Sequence, residues 1–267
     1  MPKSYLLAAP LLVLAFANAA SAKSNDGPDP APAPVDTTEF ELATGADYSV
    51  GSYGAATDTK VSSVPIEAKL RSGNFRLSAS LPYVSIEGPG RVVGGVVVFD
   101  PASTTPVKNS GLGDLTVSSG YLLNREQGAL PAIELGGTVK VPTASAQIGT
   151  GEVDYSVQLS AFKTVAPGAL LFGSVGYSWL GSPAAYRLDN GISATAGMNF
   201  KPSSSTNIGA SLSYREPVAN GLQSQAVVAP YLTQRVSDRF GITLYGLAGL
   251  NEASPRLGAG IRLSVFN

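Results

Sequence analysis

The segment from Phe75 to Tyr83 reads FRLSASLPY, and its odd-numbered positions are apolar while its even-numbered positions are polar or proline. Alternation with a period of two predicts a β-strand whose two faces meet different surroundings. In a soluble sandwich the apolar face packs into a core, whereas in a transmembrane barrel it faces lipid and the polar face lines the lumen. The rest of the sequence is needed to distinguish a soluble sandwich from a transmembrane barrel.

Residues 1–22, MPKSYLLAAPLLVLAFANAASA, have the pattern of a secretory signal peptide. A lysine precedes an apolar run, and Ala20-Ser21-Ala22 forms an A-x-A cleavage signal. The apolar run is shorter than the roughly 20 residues that a membrane-anchoring helix needs. We therefore predict export, then a flexible segment rich in proline and aspartate over 23–38, and one folded domain over 39–267.

The composition leaves two locations for the exported chain, free solution or a membrane that it crosses with strands. Only 14% of the residues are charged, below the roughly 25% that is typical of soluble domains. The net charge of −1 argues against nucleic acid as a partner. The chain has no cysteine, so it uses no disulfides even though export would permit them.

Strand-like segments separated by glycine, proline, serine, asparagine or aspartate follow one another after Thr38. The twelve predicted strands are 40–50, 61–70, 75–86, 114–123, 132–141, 153–162, 170–179, 191–200, 206–215, 225–236, 240–250 and 257–266. Several connections, such as the one at Ser72-Gly73-Asn74, are tight, and they alternate with longer ones such as 87–113. Tight turns on one rim and long loops on the other are typical of an outer-membrane barrel with its turns in the periplasm.

The faces of these strands favour the same architecture. In strand 206–215, Ile208, Leu212 and Tyr214 share one face, while the opposite face carries asparagine, glycine, serine and arginine. We predict an all-β fold, a single transmembrane up-and-down antiparallel β-barrel of about 12 strands, with its apolar face on lipid and lipopolysaccharide. The alternative is a secreted soluble β-barrel.

Charged residues lie at mid-strand on the face predicted to point inward, and Asp47, Glu67, Arg262 and Lys140 are the clearest of them. In an up-and-down barrel the last strand closes against the first, so Asp47, Glu67 and Arg262 fall on neighbouring strands at similar depth. Opposite charges in a narrow lumen are expected to pair. The four residues are a candidate lumen charge cluster, either a constriction that selects solutes or an ion-pair network that holds the barrel round.

The long loop 87–113 contains an apolar stretch, VVGGVVVF, which is unexpected for a segment surrounded by water. It makes a candidate hatch of Val92, Val93, Val96, Val97, Val98 and Phe99. Such a hatch would fold into the barrel mouth or bind an apolar solute. The alternative is that this stretch only extends its hairpin above the membrane.

An enzymatic role is not expected. The chain has neither histidine nor cysteine, which excludes serine–histidine hydrolases, cysteine nucleophiles and histidine-ligated metals. No G-x-S-x-G elbow or Walker sequence is present. We expect no cofactor.

Three segments resemble the outer-membrane β-barrel family of the meta-pathway of phenol degradation, whose members are described as transporters. They are LPY at 81–83, SGLGDLTVSSGYLL at 110–123 and LGGTVKVPTASAQIGTGEVDYSVQLS at 135–160. The resemblance implies a barrel that admits small hydrophobic or aromatic compounds.

The first functional hypothesis is accordingly an outer-membrane channel for small, rather apolar solutes in a Gram-negative bacterium. The second is a plugged structural or interaction barrel that acts through its extracellular loops. The third is the secreted soluble binder. The first two imply the outer-membrane assembly machinery as a partner, although the chain ends in Phe266-Asn267 and not on the usual terminal aromatic residue.

Overall fold

The computed structural model describes residues 35–53, 56–88, 91–93, 96–98, 107–145, 148–184, 187–219 and 222–267. At 35–37, 91–93, 96–98 and 107 it describes the backbone alone. The predicted signal peptide and residues 23–34 of the predicted flexible segment lie outside the described residues.

The only regular secondary structure of the described residues is the β-strand, and every pairing between these strands is antiparallel. The strands are β1 (Val35–Gly51), β2 (Thr59–Gly73), β3 (Phe75–Gly88), β4 (Arg91–Val93), β5 (Val96–Val98), β6 (Val107–Leu112), β7 (Leu115–Asn124), β8 (Ala132–Val141), β9 (Asp154–Ala166), β10 (Ala169–Trp179), β11 (Gly191–Ser203), β12 (Thr206–Arg215), β13 (Gln225–Ser237), β14 (Phe240–Gly249) and β15 (Leu257–Phe266). This part of the chain contains no helix that is long and apolar enough to span a membrane.

The sheet closes on itself because β1 pairs with β2 on one side and with β15 on the other. Strands β6 and β7 lie one after the other beside β3, so they share a single place in the ring, and β4 and β5 form a separate hairpin. The described strands therefore fill twelve places around the barrel. The predicted all-β, twelve-stranded antiparallel barrel is confirmed.

The break between β6 and β7 lies beside Pro82 of β3. Proline has no N–H to donate to a neighbouring strand. The pairing with β6 ends at Tyr83, and the pairing with β7 begins at Ser80. Across the gap the N–H of Gly113 donates to the Pro82 carbonyl at 2.8 Å, so the closed sheet continues past the break.

The two faces of the barrel differ as the opening segment predicts. Phe75, Leu77 and Tyr83 are 40%, 38% and 50% exposed, whereas Pro82 between them is buried. Since side chains alternate along a strand, the exposed apolar residues of all twelve positions form the outer, lipid-facing surface.

Aromatic side chains are concentrated at both rims of this outer surface. Near the long loops they are Tyr48, Tyr83, Tyr155, Tyr177, Trp179 and Tyr214, and near the tight turns they are Phe40, Phe75, Tyr121, Phe200 and Phe240. Such belts are typical of barrels whose rims lie at the two lipid–water interfaces.

The strand limits differ from the predicted ones at several ends, and the predicted loop 87–113 contains three strands, β4, β5 and β6. Strand β1 begins at Val35, so residues 35–38, predicted as part of the flexible segment, belong to the sheet and Val35 pairs with Gly73. Strands β8, β12 and β15 coincide with the predicted limits.

The connection between β7 and β8 is held by an ion pair on the tight-turn rim. Glu126 accepts a hydrogen bond from the Lys163 ammonium at 2.7 Å, and both of its carboxylate oxygens lie 3.1 Å from the Thr164 amide nitrogen. The bond from Lys163 holds the pKa of the Glu126 carboxyl below its usual value.

Replacing Glu126 with glutamine is expected to lower stability at neutral pH, by up to about 1 kcal/mol as for an exposed ion pair. A carboxylate with a lowered folded pKa contributes stability above its unfolded pKa, and that contribution is lost as pH falls through the folded value. The difference between Glu126→Gln and the native protein should therefore vanish in strong acid. Urea unfolding at both pH values, with the exposed loop residue variant Glu252→Gln as control, measures it. An equal difference at both pH values would contradict the expectation.

Candidate functional site in the barrel lumen

The lumen contains a cavity of about 280 Å³. Two unlike walls line it. One wall consists mainly of small residues from β9 to β12, together with Phe162, Phe172 and the charged residue Arg215, and it continues onto β13 with Val227 and Ala229. The other contains Glu41, Lys69, Arg71, Arg76 and Glu134 from the strands on the opposite side. The cavity is thus polar and charged on one side and largely uncharged on the other.

The small-residue wall follows from the sequence of the inward positions on β9 to β12. Its members are Ser156, Ser160, Ser174, Gly176, Ser178, Ser193, Thr195, Ser211 and Ser213. Short hydroxyl side chains satisfy one another along this wall, as Thr195 and Ser213 do at 3.3 Å. Because these residues are short, they leave the space that the cavity occupies.

Inward-facing aromatic rings lie close against glycines of neighbouring strands and occupy part of the lumen. A Cβ added at Gly209 would fall 2.2 Å from the Tyr231 ring, and one at Gly260 would fall 2.3 Å from the Tyr245 ring. Only glycine permits this close approach. The Tyr231 hydroxyl also donates to Asn199 Oδ1 at 3.2 Å, which fixes the ring against the wall.

Five charged residues, which we name the charged wall, lie together on the inner face of β1, β2 and β15, where the cross-strand neighbours Glu39 and Arg71 also line the cavity. The members of the charged wall are Glu41, Asp47, Glu67, Lys69 and Arg262. The Arg262 guanidinium donates to Glu67 at 2.8 Å, and both side chains are only 5% exposed. Lys69 lies 3.5 Å from Glu41 and 3.9 Å from Glu67. The wall is a buried ion-pair network.

The closure of the barrel explains how Arg262 reaches Glu67. Strand β1 separates them, and its residues at this level are Ala43, which pairs with Glu67, and Gly45, which pairs with Arg262. Both are too small to block the contact. The structure therefore places Asp47, Glu67 and Arg262 on one wall, although Asp47 makes no ion pair within 4.0 Å to any described residue.

Lys140 is not part of the charged wall, and its predicted place in that cluster is wrong. It lies on β8, where it contacts Asp154 at 2.9 Å and Asp114 at 3.1 Å and donates to Thr150 at 3.1 Å. Strands β7 and β9 are the neighbours of β8, so the carboxylates beside it come from those strands and not from β1 or β2.

Sequence reasoning missed Glu41 and Lys69, although a signal for both exists. Glu41 shares the parity of Asp47 on β1, and Lys69 shares the parity of Glu67 on β2. It also missed the ion pair between Arg76 and Glu134, which passes over Gly120 of the intervening strand β7.

An apolar cluster fills part of the barrel mouth, and we name it the mouth cluster. It consists of Tyr53, Val84, Ile86 and Ile148, all buried. Val84 and Ile86 face inward near the loop end of β3, while Ile148 comes from the loop between β8 and β9. Burial raises the pKa of the Tyr53 hydroxyl. The β8–β9 loop thus bends inward and packs onto the inner wall.

Polar contacts hold the β8–β9 loop in this inward position. The Ser145 amide donates to the Leu112 carbonyl at 3.4 Å, and the Ala144 amide donates to Asp114 at 3.0 Å. A Cβ at Gly149 would lie 2.6 Å from the Ala144 Cβ, so the return of the loop requires glycine. Sequence reasoning missed Ile148 because a lone apolar residue in a glycine-rich loop carries no periodicity.

The predicted hatch overlaps the β4–β5 hairpin. Residues Arg91–Val93 pair with Val96–Val98 as the small β4–β5 hairpin, and β6 extends the barrel beside β3. The side chains of Val92, Val93, Val96, Val97 and Val98, and the whole of Phe99, lie outside the described residues. The hatch role of these residues stays a prediction.

A closed barrel with an apolar outer surface, aromatic belts and a polar lumen defines a transmembrane β-barrel protein of the outer-membrane type. The chain belongs to the family described as "Putative MetA-pathway of phenol degradation", whose model matches residues 34–265. No curated protein sequence matches the chain significantly.

Solved structures with the same fold include bacterial outer-membrane proteins. An outer membrane channel from Pseudomonas putida F1 is 14% identical, with 90% of this chain and 98% of that chain covered and a TM-score of 0.67. The KdgM porin is 10% identical, with 84% and 98% covered and a TM-score of 0.55. The translocator domain of the autotransporter NalP from Neisseria meningitidis is 11% identical, with 88% and 90% covered and a TM-score of 0.52. At these identities the likeness establishes the fold.

Proposed function

We propose that the protein is an outer-membrane channel for small, hydrophobic or aromatic solutes that carry a polar group. The observation that carries this proposal is the cavity with two unlike walls. An aromatic ring can lie along the small-residue wall beside Phe162 and Phe172, while a hydroxyl meets the charged side chains opposite. The family name, which refers to phenol degradation, supports the same class of solute.

The size of the cavity supports a solute of about one ring. Its volume of about 280 Å³ is near the lower end of the roughly 300–1,000 Å³ found for small-molecule sites. The rings over Gly209 and Gly260 limit the width of the lumen further. Bulky sugars and peptides are therefore poor candidates.

The location of the proposed channel rests on its sequence and fold together. The signal-peptide pattern over 1–22 supports export, and the aromatic belts support insertion into a bilayer. We propose that the tight-turn rim faces the periplasm, as in other outer-membrane barrels.

A plugged barrel that acts through its loops is the second candidate. The mouth cluster favours it, because Ile148 is 1% exposed and is packed against the inner wall. A second apolar contact at the same rim, between Leu188 and Val218, joins the β10–β11 and β12–β13 loops. Single-channel conductance distinguishes the two candidate functions, because an open channel carries current and a plugged barrel does not.

The substitution Ser174→Trp is expected to lower single-channel conductance at least about twofold, because the indole would enter the cavity. Ser174 faces the lumen on β10 and lines the cavity. Its neighbour Val175 points outward and is 58% exposed, so Val175→Trp is the matched control and should leave conductance unchanged. Planar-bilayer recordings of the refolded proteins in potassium chloride make the measurement.

The same recordings test whether the channel prefers aromatic solutes. Phenol should reduce the current through the native channel more than glycerol does at the same concentration, and Ser174→Trp should weaken that difference. Refolded native protein that inserts but carries no current would contradict the channel and favour the plugged barrel.

A further inference from the structure

Four buried side-chain oxygens on three neighbouring strands make no hydrogen bond to any described residue. They are Asp47 Oδ1 on β1, Ser63 Oγ and Glu67 Oε2 on β2, and Ser80 Oγ on β3. Buried polar groups almost always have a partner, since leaving one unpaired is destabilising. Four such oxygens on adjoining strands therefore point to a ligand that the protein's own side chains do not supply.

The strand register sorts these oxygens into two pairs. Asp47 is directly opposite Ser63, and Glu67 is directly opposite Ser80. Residues directly opposite each other have Cβ atoms about 4.5–5.5 Å apart. Ser63 is only 6% exposed, yet its hydroxyl makes no hydrogen bond to the carboxylate beside it. A group between Asp47 and Ser63 would satisfy both.

The charges of the wall determine which kind of group fits. Three carboxylates, Glu41, Asp47 and Glu67, stand against two cations, Lys69 and Arg262. Arg262 pairs with Glu67, and Lys69 lies within 4.0 Å of both Glu41 and Glu67. Asp47 is therefore the carboxylate without an ion pair, and the wall has an excess of one negative charge. A single positive charge would neutralise it.

We propose that Asp47 and Ser63 bind one small monovalent cation on the lumen wall, with Glu67 and Ser80 as the next oxygen pair along the strands. Oxygen ligands suit hard cations. Divalent calcium takes 6–8 oxygen ligands, including several carboxylates. The single excess negative charge of the wall matches a monovalent ion.

The first test compares thermal unfolding of the refolded protein in potassium chloride and in N-methyl-D-glucamine chloride at equal ionic strength. The organic cation is too large to fit between two opposed side chains. Because a ligand that binds only the folded state stabilises it, potassium at about ten times its dissociation constant should raise the unfolding temperature by roughly 3–5 °C. Samples are heated to a series of temperatures, and the unfolding temperature is the one at which half of the protein shifts from the gel mobility of the folded barrel to that of the unfolded chain.

Two substitutions test whether the potassium-dependent shift in unfolding temperature arises at Asp47 and Ser63. Asp47→Asn and Ser63→Ala should each remove at least half of the potassium-dependent shift. Ser62→Ala is the matched control, because Ser62 is the next residue on β2 but faces outward, and it should keep the full shift. Equal unfolding temperatures of the native protein in the two salts would overturn the proposal. So would a full potassium shift in Ser63→Ala, or an Asp47→Asn variant that is more stable by the same amount in both salts, which would indicate a proton on Asp47.

The cation site stands independently of the proposed channel. The unfolding measurement requires no conductance, so a protein with the potassium shift but no current would contradict the channel alone. If the channel conducts, Asp47→Asn should also lower its preference for potassium over chloride, read as a change in reversal potential. An unchanged reversal potential in a conducting Asp47→Asn channel would count against the site.

Discussion

Replacing Arg262 with alanine is expected to lower the free energy of unfolding by about 3–5 kcal/mol. The guanidinium is buried and donates to Glu67 at 2.8 Å. Its removal would leave the Glu67 carboxylate beside Glu41 with Lys69 as the only cation of the charged wall. An uncompensated buried charge costs far more than the loss of the ion pair itself. Urea unfolding of the refolded variant, followed by gel mobility, measures the change.

The chain offers a matched control for this expectation. Arg256 makes a 2.6 Å contact with Asp58, but the two side chains are 61% and 37% exposed, so Arg256→Ala should cost less than about 1 kcal/mol. The double variant Arg262→Ala/Glu67→Gln should recover part of the loss, because Glu67, the carboxylate that Arg262 contacts, then carries no charge. If Arg262→Ala costs no more than Arg256→Ala, the wall is hydrated and does not stabilise the barrel.

The strands could be predicted because the outer and inner faces of a barrel impose one period throughout. Lipid accepts only apolar side chains and the narrow lumen accepts small or paired polar ones, so each strand alternates. The same rule located the close approach of Arg262 to Glu67, since an up-and-down chain must join its last strand to its first.

The position of a charged side chain around the barrel and its depth in the lumen were harder to predict. Lys140 shares the inward parity of the charged wall, but parity does not say which wall a strand belongs to. The strand order places β8 between β7 and β9, and there Lys140 meets Asp114 and Asp154. Glu41 is the second residue of the predicted strand 40–50, whereas β1 begins at Val35 and makes Glu41 an interior position.

The mouth could not be predicted because loops are positioned by tertiary contacts and not by periodicity. The apolar stretch 92–99 is recognisable from its composition alone. Ile148, in contrast, stands alone among glycine, threonine and glutamine, and its burial depends on Val84 and Ile86 from a distant strand.

Replacing Ile148 with aspartate is expected to raise single-channel conductance at least about threefold, as hydrophobic constrictions close a pore by excluding water. Ile148 is 1% exposed and packs with Tyr53, Val84 and Ile86 inside the mouth. A carboxylate cannot stay in that apolar contact without a partner, so the β8–β9 loop should leave the inner wall. The barrel itself should persist, because the loop adds no strand to the closed sheet.

Glu152→Gln provides the control in the same loop, since Glu152 lies outside the mouth cluster and the change removes only a charge. Its conductance should match that of the native protein. A native-like gel mobility shift for Ile148→Asp would show that the barrel is intact, so a conductance change can be assigned to the mouth. An intact Ile148→Asp barrel with native conductance would mean that the ion path bypasses the mouth cluster and that the narrowest point lies lower, where Tyr231 and Tyr245 cover their glycines.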